Sequence, residues 1–266
     1  MGRGSIAETA LAVPVDLLSW RETMKIKAIN PNTTLEMTEN IGAVANEYTA
    51  DDTEVVAVSP DRGPISIESY YDDYLAVPGI LDEILKDEDD EFDAFVNSCW
   101  GDPGLDACRE VTDKPVVGIA EGSMYVANML GANFSVVTIL PRARDFIEEA
   151  VRKTGLDGHC ASVRCTDLTV VETENTRDAA AKALLEASWE AVEEDDAEVI
   201  CLGCAGMGGL DEPLEAELPV PVIDSVGAGA VLAESLVQLG KRTSTVRTYK
   251  RPESKEIVGY PERYQL

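Results

Sequence analysis

Cys99 lies in "NSCWGDPG" and Cys204 in "LGCAGMGG". Each follows a short apolar run that reads as a buried strand, and each opens a glycine-containing loop. A thiolate is a base and a thiol is an acid. With an ordinary pKa of about 8.5, cysteine needs only modest tuning to hold both forms near neutral pH. Two such groups on opposite sides of one cleft can take a proton from one face of a carbon and return one to the other. A carbon next to a carbonyl suits this exchange, provided the enolate is stabilised. Backbone N–H groups in the two loops can lower a thiol pKa or hold that developing oxyanion. Such a reaction needs no cofactor: no metal, no pyridoxal phosphate and no nucleotide.

The other reactive side chains compete with this reading. Cys201 and Cys204 form Cys-Leu-Gly-Cys, the spacing of a redox pair or half a zinc site. A strand placement turns Cys201 away from the loop, and no second cysteine pair supplies zinc ligands. Cys108, Cys160 and Cys165 read as small packing residues. His159 is the one histidine, so any Cys–His nucleophile would depend on a residue in the glycine-flanked loop "GLDGHC". The glycine loops match neither a phosphate-binding loop nor a full dinucleotide fingerprint.

The elements that must position the cysteines alternate between strand and helix. Apolar runs predict strands at 24–29, 53–59, 93–98 and 115–120. A second set follows at 134–140, 161–170, 197–203 and 219–224. Helical periodicity lies between them, at 70–86 with Pro78 and Gly79 inside, at 177–194 and at 226–239. Thr33 and Glu36 have capping-box spacing at the start of the first helix. This alternation predicts an α/β fold with parallel sheets covered on both faces.

The chain also repeats. An offset of 105 superimposes Cys99, Gly104, Leu105 and Asp106 on Cys204, Gly209, Leu210 and Asp211. An offset of 110 superimposes Pro31 on Pro141. Two related halves facing each other place the thiols in a common cleft, at the carboxyl ends of strands where open α/β sheets build sites.

Composition bounds the partners. The 266 residues are 45% hydrophobic, enough for real cores. Twenty-two basic against 50 acidic residues give a net charge of −28. Such a surface repels nucleic acid and anionic membranes, and it resembles a halophilic adaptation in which salt screens self-repulsion. The acidic runs at 86–93 and 193–196 read as solvated faces. No apolar run reaches membrane-spanning length. Residues 1–23 read as an N-terminal extension outside the fold, with the functional chain starting near Met24. They make a poor export signal, so the expected location is cytoplasmic.

The segments "INPNTT" (29–34), "GPISIES" (63–69), "CWGDPGLDACRE" (99–110), "PVVGIAEGSM" (115–124), "GCAGM" (203–207) and "PVIDSVGAG" (221–229) are specific in combination. Over residues 24–260 the sequence resembles the aspartate/glutamate racemase superfamily, most closely its hydantoin racemase branch, which includes allantoin racemases. The resemblance implies two pseudo-symmetric flavodoxin-like domains with the active site in the cleft between them. It implies a first domain of 24–122 plus 225–248, a second of 123–224, and a tail of 249–266. Cys99 and Cys204 would be the acid/base pair. Asn30 would bond a substrate carbonyl or ring nitrogen. Backbone N–H groups of Trp100, Gly101, Ala205 and Gly206 would hold the substrate's carbonyls, and Thr138 would also face it. The implied substrate is a small cyclic ureide, and the implied assembly is a homo-oligomer. Trp100 departs from the smaller aromatic or apolar residue expected at its position. Two alternatives stand beside this reading: a racemase of aspartate, glutamate or a related diacid, and a thiol redox or ligand-binding module without turnover. The candidate loops carry no Lys or Arg, which favours a neutral ring over a diacid.

Overall fold

The computed structural model describes residues 23–87, 91–169 and 176–265. The expected N-terminal extension, up to residue 22, lies outside the described residues. So do 88–90 of the first acidic run and the last residue of the strand expected at 161–170.

Two parallel four-stranded sheets form the framework. The first holds β1 (Met24–Ile29), β2 (Thr53–Val58), β3 (Ala94–Asn97) and β4 (Val116–Gly118). The second holds β5 (Phe134–Thr138), β6 (Cys160–Cys165), β7 (Ile200–Leu202) and β8 (Val222–Ile223). Their orders are β2-β1-β3-β4 and β6-β5-β7-β8, so the same topology is built twice. Every pairing among them is parallel. Parallel sheets are covered on both faces, so their strands are apolar throughout. All four residues of β3 and all five of β5 are buried.

Eight α-helices cover the sheets: α1 (Leu35–Tyr48), α2 (Tyr70–Leu85), α3 (Leu105–Val111), α4 (Ile119–Leu130), α5 (Arg144–Thr154), α6 (Arg177–Glu194), α7 (Asp211–Glu215) and α8 (Ser225–Gln238) among the described residues. The largest core joins the two halves. Ile26, Val96 and Ile119 from the first meet Val137, Ile200 and Leu202 from the second, together with Val226 and Ala230 of α8. A second core packs Trp100 and Met124 against Phe134, Ile147 and Cys201. A third lies under α2 and α3, around Ile80, Phe95 and Cys108. After completing the second sheet, the chain returns to the first, where α8 packs on α1, α4, β1, β3 and β4. Beyond α8, Tyr249 Oη donates to Asp106 (2.9 Å) and Tyr264 Oη donates to the Pro78 carbonyl (2.6 Å).

Local details differ from the sequence expectations. The Thr33–Glu36 capping box does not form: the N-cap is Thr34 and its side chain does not cap. Both threonine hydroxyls donate elsewhere, Thr33 to the Pro64 carbonyl and Thr34 to that of Ile65. A distant loop supplies better acceptors than the helix's own first turn. The strand expected at 115–120 ends at Gly118, because Ala120 and Glu121 already begin α4 and donate their N–H groups to the Asp102 carboxylate (3.1 and 2.9 Å). Pro78 does not break α2, which runs straight through it. A Ser69 N-cap that accepts from the Asp72 N–H starts that helix.

Candidate active site

Strand β3 ends at Asn97 and β7 at Leu202, so each cysteine lies two residues past the third strand of its half. The turns match as well. The Cys99 carbonyl accepts from the Asp102 N–H (2.9 Å), and the Cys204 carbonyl accepts from the Met207 N–H (3.1 Å). The two sulfurs thus occupy equivalent positions at the carboxyl edges of facing sheets. Both line one small cavity of about 50 Å³.

The wall of that cavity is largely apolar. Met37, Ile67, Ile139, Leu140, Phe146 and Ile147 line it, with Asn32, Ser98 and Thr138 as polar members and no charged side chain among the described residues. Trp100, Gly101 and Ala205 also reach it, whereas Asn30 and Gly206 do not. Asn30 is fully buried behind the wall. Its amide donates to Asn32 Oδ1 (2.9 Å) and Thr38 Oγ1 (3.0 Å), so Asn32 is the residue presented to the cavity. Gly206 is buried inside the single-turn 3₁₀ helix Ala205–Met207.

Thr138 acts on the Cys204 loop directly: its hydroxyl donates to the Gly203 carbonyl (2.9 Å). Glycine is required there, since a methyl group at 203 would lie 2.6 Å from Thr138 Cβ. The Cys99 loop is fixed by Gly104, whose φ of 65° suits glycine, and by Asn97, whose amide donates to the Pro103 carbonyl (2.8 Å). Two non-glycine residues near the site adopt left-handed backbone, Asp102 (φ 46°) and Leu140 (φ 53°). Such conformations persist only where surrounding contacts enforce them.

Trp100 does not fill the cavity. It is 2% exposed and its indole lies in the second core. Its Nε1–H donates to Ser225 Oγ (2.9 Å), and that hydroxyl donates to the Leu202 carbonyl (2.5 Å). One serine at the start of α8 therefore ties the Cys99 loop to the strand that carries Cys204.

Burial pushes the Cys99 thiol well above the ordinary range. The Gly101 N–H on its sulfur opposes that shift, while negative charge at Asp73, Cys204 and Asp102 adds to it. The sulfur is therefore a proton carrier that ionises reluctantly. Burial also pushes Asp73, on α2, up to about 6, against the opposing pull of Lys153.

Other candidates fall away from the cavity. Cys201 is fully buried in the second core with Sγ toward the Ser123 carbonyl (3.7 Å), while Cys204 packs against the first. No disulfide joins any of the six cysteines. His159 is exposed, with Nδ1 3.0 Å from the Ala132 carbonyl oxygen. Among the described residues no three His, Cys, Asp or Glu gather as metal ligands, and no helix is long and apolar enough to cross a membrane.

Sequence reasoning missed three residues. Ser98 lines the cavity, and its buried hydroxyl has no hydrogen-bond partner among the described residues. Its place beside Cys99 was the available signal. Asn32 was hidden by the nearby Asn30. Asp73 looked like any acidic residue on an exposed helix.

Comparison with known proteins gives a consistent result. The family model for Asp/Glu/hydantoin racemases matches residues 26–233. A hydantoin racemase from Pseudomonas sp. (strain NS671) is 54% identical, covering 91% of this chain and 97% of its own. The allantoin racemase from Klebsiella pneumoniae superposes with a TM-score of 0.87 at 41% identity, covering 91% of this chain and 98% of that one. The crystal structure of allantoin racemase from Pseudomonas fluorescens gives 0.86 at 40% identity, covering 89% and 100%. Twin sheets, matched cysteine turns and these likenesses agree: the chain belongs to the Asp/Glu/hydantoin racemase family, and it is an isomerase.

Proposed function

We propose that this enzyme racemises neutral cyclic ureides, either 5-substituted hydantoins or allantoin, by proton transfer between Cys99 and Cys204 without a cofactor. The observation that carries the reading is the pair of equivalent sulfurs on one small cavity with no charged side chain in its wall.

In the reaction, one thiolate takes the proton from the ring carbon beside the carbonyl. The C–H electron pair moves into that carbonyl as an enolate. The opposite thiol then protonates the other face, and the pair collapses back into a new C–H bond. One C–H bond breaks and one forms, and the two sulfurs exchange protonation states. The enolate oxygen needs donors held in place beforehand. Ala205 opens a 3₁₀ turn at the cavity wall, where the first N–H groups have no carbonyl one turn back. The N–H of Trp100 serves the other half of the site, while that of Gly101 bonds the Cys99 sulfur. Ser98 and Asn32 offer side-chain hydrogen bonds to the ring's ureide atoms. Thr138 holds the Cys204 loop.

The uncharged wall favours a neutral ring over aspartate, glutamate or another diacid, whose carboxylates would be buried without cationic partners. The placement of Cys201 in the core disfavours a Cys201–Cys204 redox pair. The same reading takes 24–122 with 225–248 as one domain and 123–224 as the other, and takes the enzyme as cytoplasmic, self-associating and salt-adapted.

The test is optical rotation of enantiopure hydantoins and of enantiopure allantoin, incubated with the protein in molar salt. Decay faster than the uncatalysed control for at least one ureide supports the proposal. No acceleration with any ureide, alongside turnover of a diacid, would overturn it.

A further inference from the structure

Asp73 has no role in the reaction described above, yet it stands behind the Cys99 loop. It lies in the first turn of α2 and is half-buried. Its Oδ1 is buried with no hydrogen-bond partner among the described residues. A methyl group built on Gly101 would lie 3.2 Å from that oxygen and 2.9 Å from the Phe146 ring. Gly101 is the residue whose N–H bonds the Cys99 sulfur. Asp73, Gly101 and Cys99 are therefore consecutive neighbours, and α5 closes the far side with Phe146.

A buried acceptor left without a donor is unfavourable and asks for an explanation. We propose that Asp73 is a positioning residue that favours the protonated form of Cys99 in the resting enzyme. The inference rests on the two-cysteine reading above. A carboxylate this close, in poorly solvated surroundings, disfavours a second negative charge on the neighbouring sulfur. The charged groups facing Asp73 from α5 are Lys153, which favours its carboxylate, and Glu149, which opposes it more weakly; the two lie 3.6 Å apart as a pair. Tyr70, one turn earlier on α2, donates its hydroxyl to Glu149 (3.0 Å) and holds that carboxylate at the domain edge. Of the carboxylates around Cys99, Asp73 opposes its ionisation more strongly than Asp102 does. Above about pH 6 it is charged, so the effect operates across the range in which thiols ionise.

The test is alkylation by iodoacetamide between pH 7 and 10, with modification at Cys99 read by peptide mass spectrometry. Asp73→Asn keeps the shape and removes the charge. It is expected to shift the Cys99 profile toward lower pH by about one unit, roughly tenfold faster alkylation at a given pH. Asp73→Ser, which fits more loosely, is expected to shift it the same way. Asp73→Glu is expected to restore slow alkylation. A profile unchanged in both neutral variants, with the fold intact by circular dichroism, would overturn the proposal. The readout needs no turnover, so it stands apart from the two-cysteine reading. That reading fails instead if Cys99→Ser racemises at the full rate.

Discussion

Ser225→Ala tests how the two cysteine loops are coupled. The hydroxyl accepts from the Trp100 indole N–H at 2.9 Å and donates to the Leu202 carbonyl at 2.5 Å, and all three groups are buried. Its loss orphans the indole N–H, at about 1–3 kcal/mol, and removes a carbonyl's hydrogen bond, at about 1 kcal/mol. The expected loss of stability is therefore about 2–4 kcal/mol. At about 2–4 °C per kcal/mol for a chain of this size, the melting temperature falls by roughly 4–16 °C. Thermal and urea melts measure this directly. A double-mutant cycle with Trp100→Phe isolates the shared bond. Once the indole donor is gone, Ser225→Ala is expected to cost only the Leu202 part, a coupling of about 1 kcal/mol or more. Turnover is also expected to fall, because the serine sets the Cys99 loop against β7. A stability loss below about 0.5 kcal/mol, or strictly additive changes, would refute this.

Three further outcomes follow from the same geometry. Gly203→Ala places a methyl 2.6 Å from Thr138 Cβ and 3.0 Å from Val136 Cγ1; the overpacking is expected to cost about 1–3 kcal/mol in urea melts and to slow racemisation by displacing Cys204. Ser98→Ala removes an unpartnered hydroxyl from the cavity wall. It is expected to leave stability unchanged and to raise KM about three- to tenfold, the value of one hydrogen bond. Alkaline pH destabilises the fold through its buried thiols: burial pushes Cys108 up to about 12 and raises Cys201 further. Between the unfolded value of about 8.5 and the folded one, the native state holds protons that the unfolded chain has lost. Stability is thus full below about pH 8.5 and falls as pH rises, by about 1.4 kcal/mol per unit for each thiol. Melts from pH 7 to 10 measure the slope, which Cys108→Ala with Cys201→Ala is expected to flatten.

The alternation of strands and helices, the twofold repeat and both cysteines could be read from the chain, because buried parallel strands and glycine loops leave local signals. The partners of those elements left no local signal. The threonines at 33 and 34 are drawn off by carbonyls about 31 residues away. The Trp100 indole finds its acceptor 125 residues along the chain, so its place in a core could not be read from the residues beside it. Strand β4 is cut short by Asp102, whose carboxylate reaches the N–H groups of α4 from the Cys99 loop. Asn30 and Asn32 lie two residues apart just past β1, and only folding decides which is consumed by the buried network and which faces the cavity. Asp73 gains its significance from Gly101 and Phe146, neither of which is near it in sequence.

The claim that two opposed thiols carry the proton is tested most directly by running each single variant in deuterated water with each enantiomer of a substrate that the native enzyme racemises. The account predicts that Cys99→Ser and Cys204→Ser lose net racemisation. Each is expected to retain, at most, exchange of the ring hydrogen for deuterium in one enantiomer, and a different enantiomer for each variant. Racemisation at the native rate by either variant, or exchange of the same enantiomer by both, would contradict it.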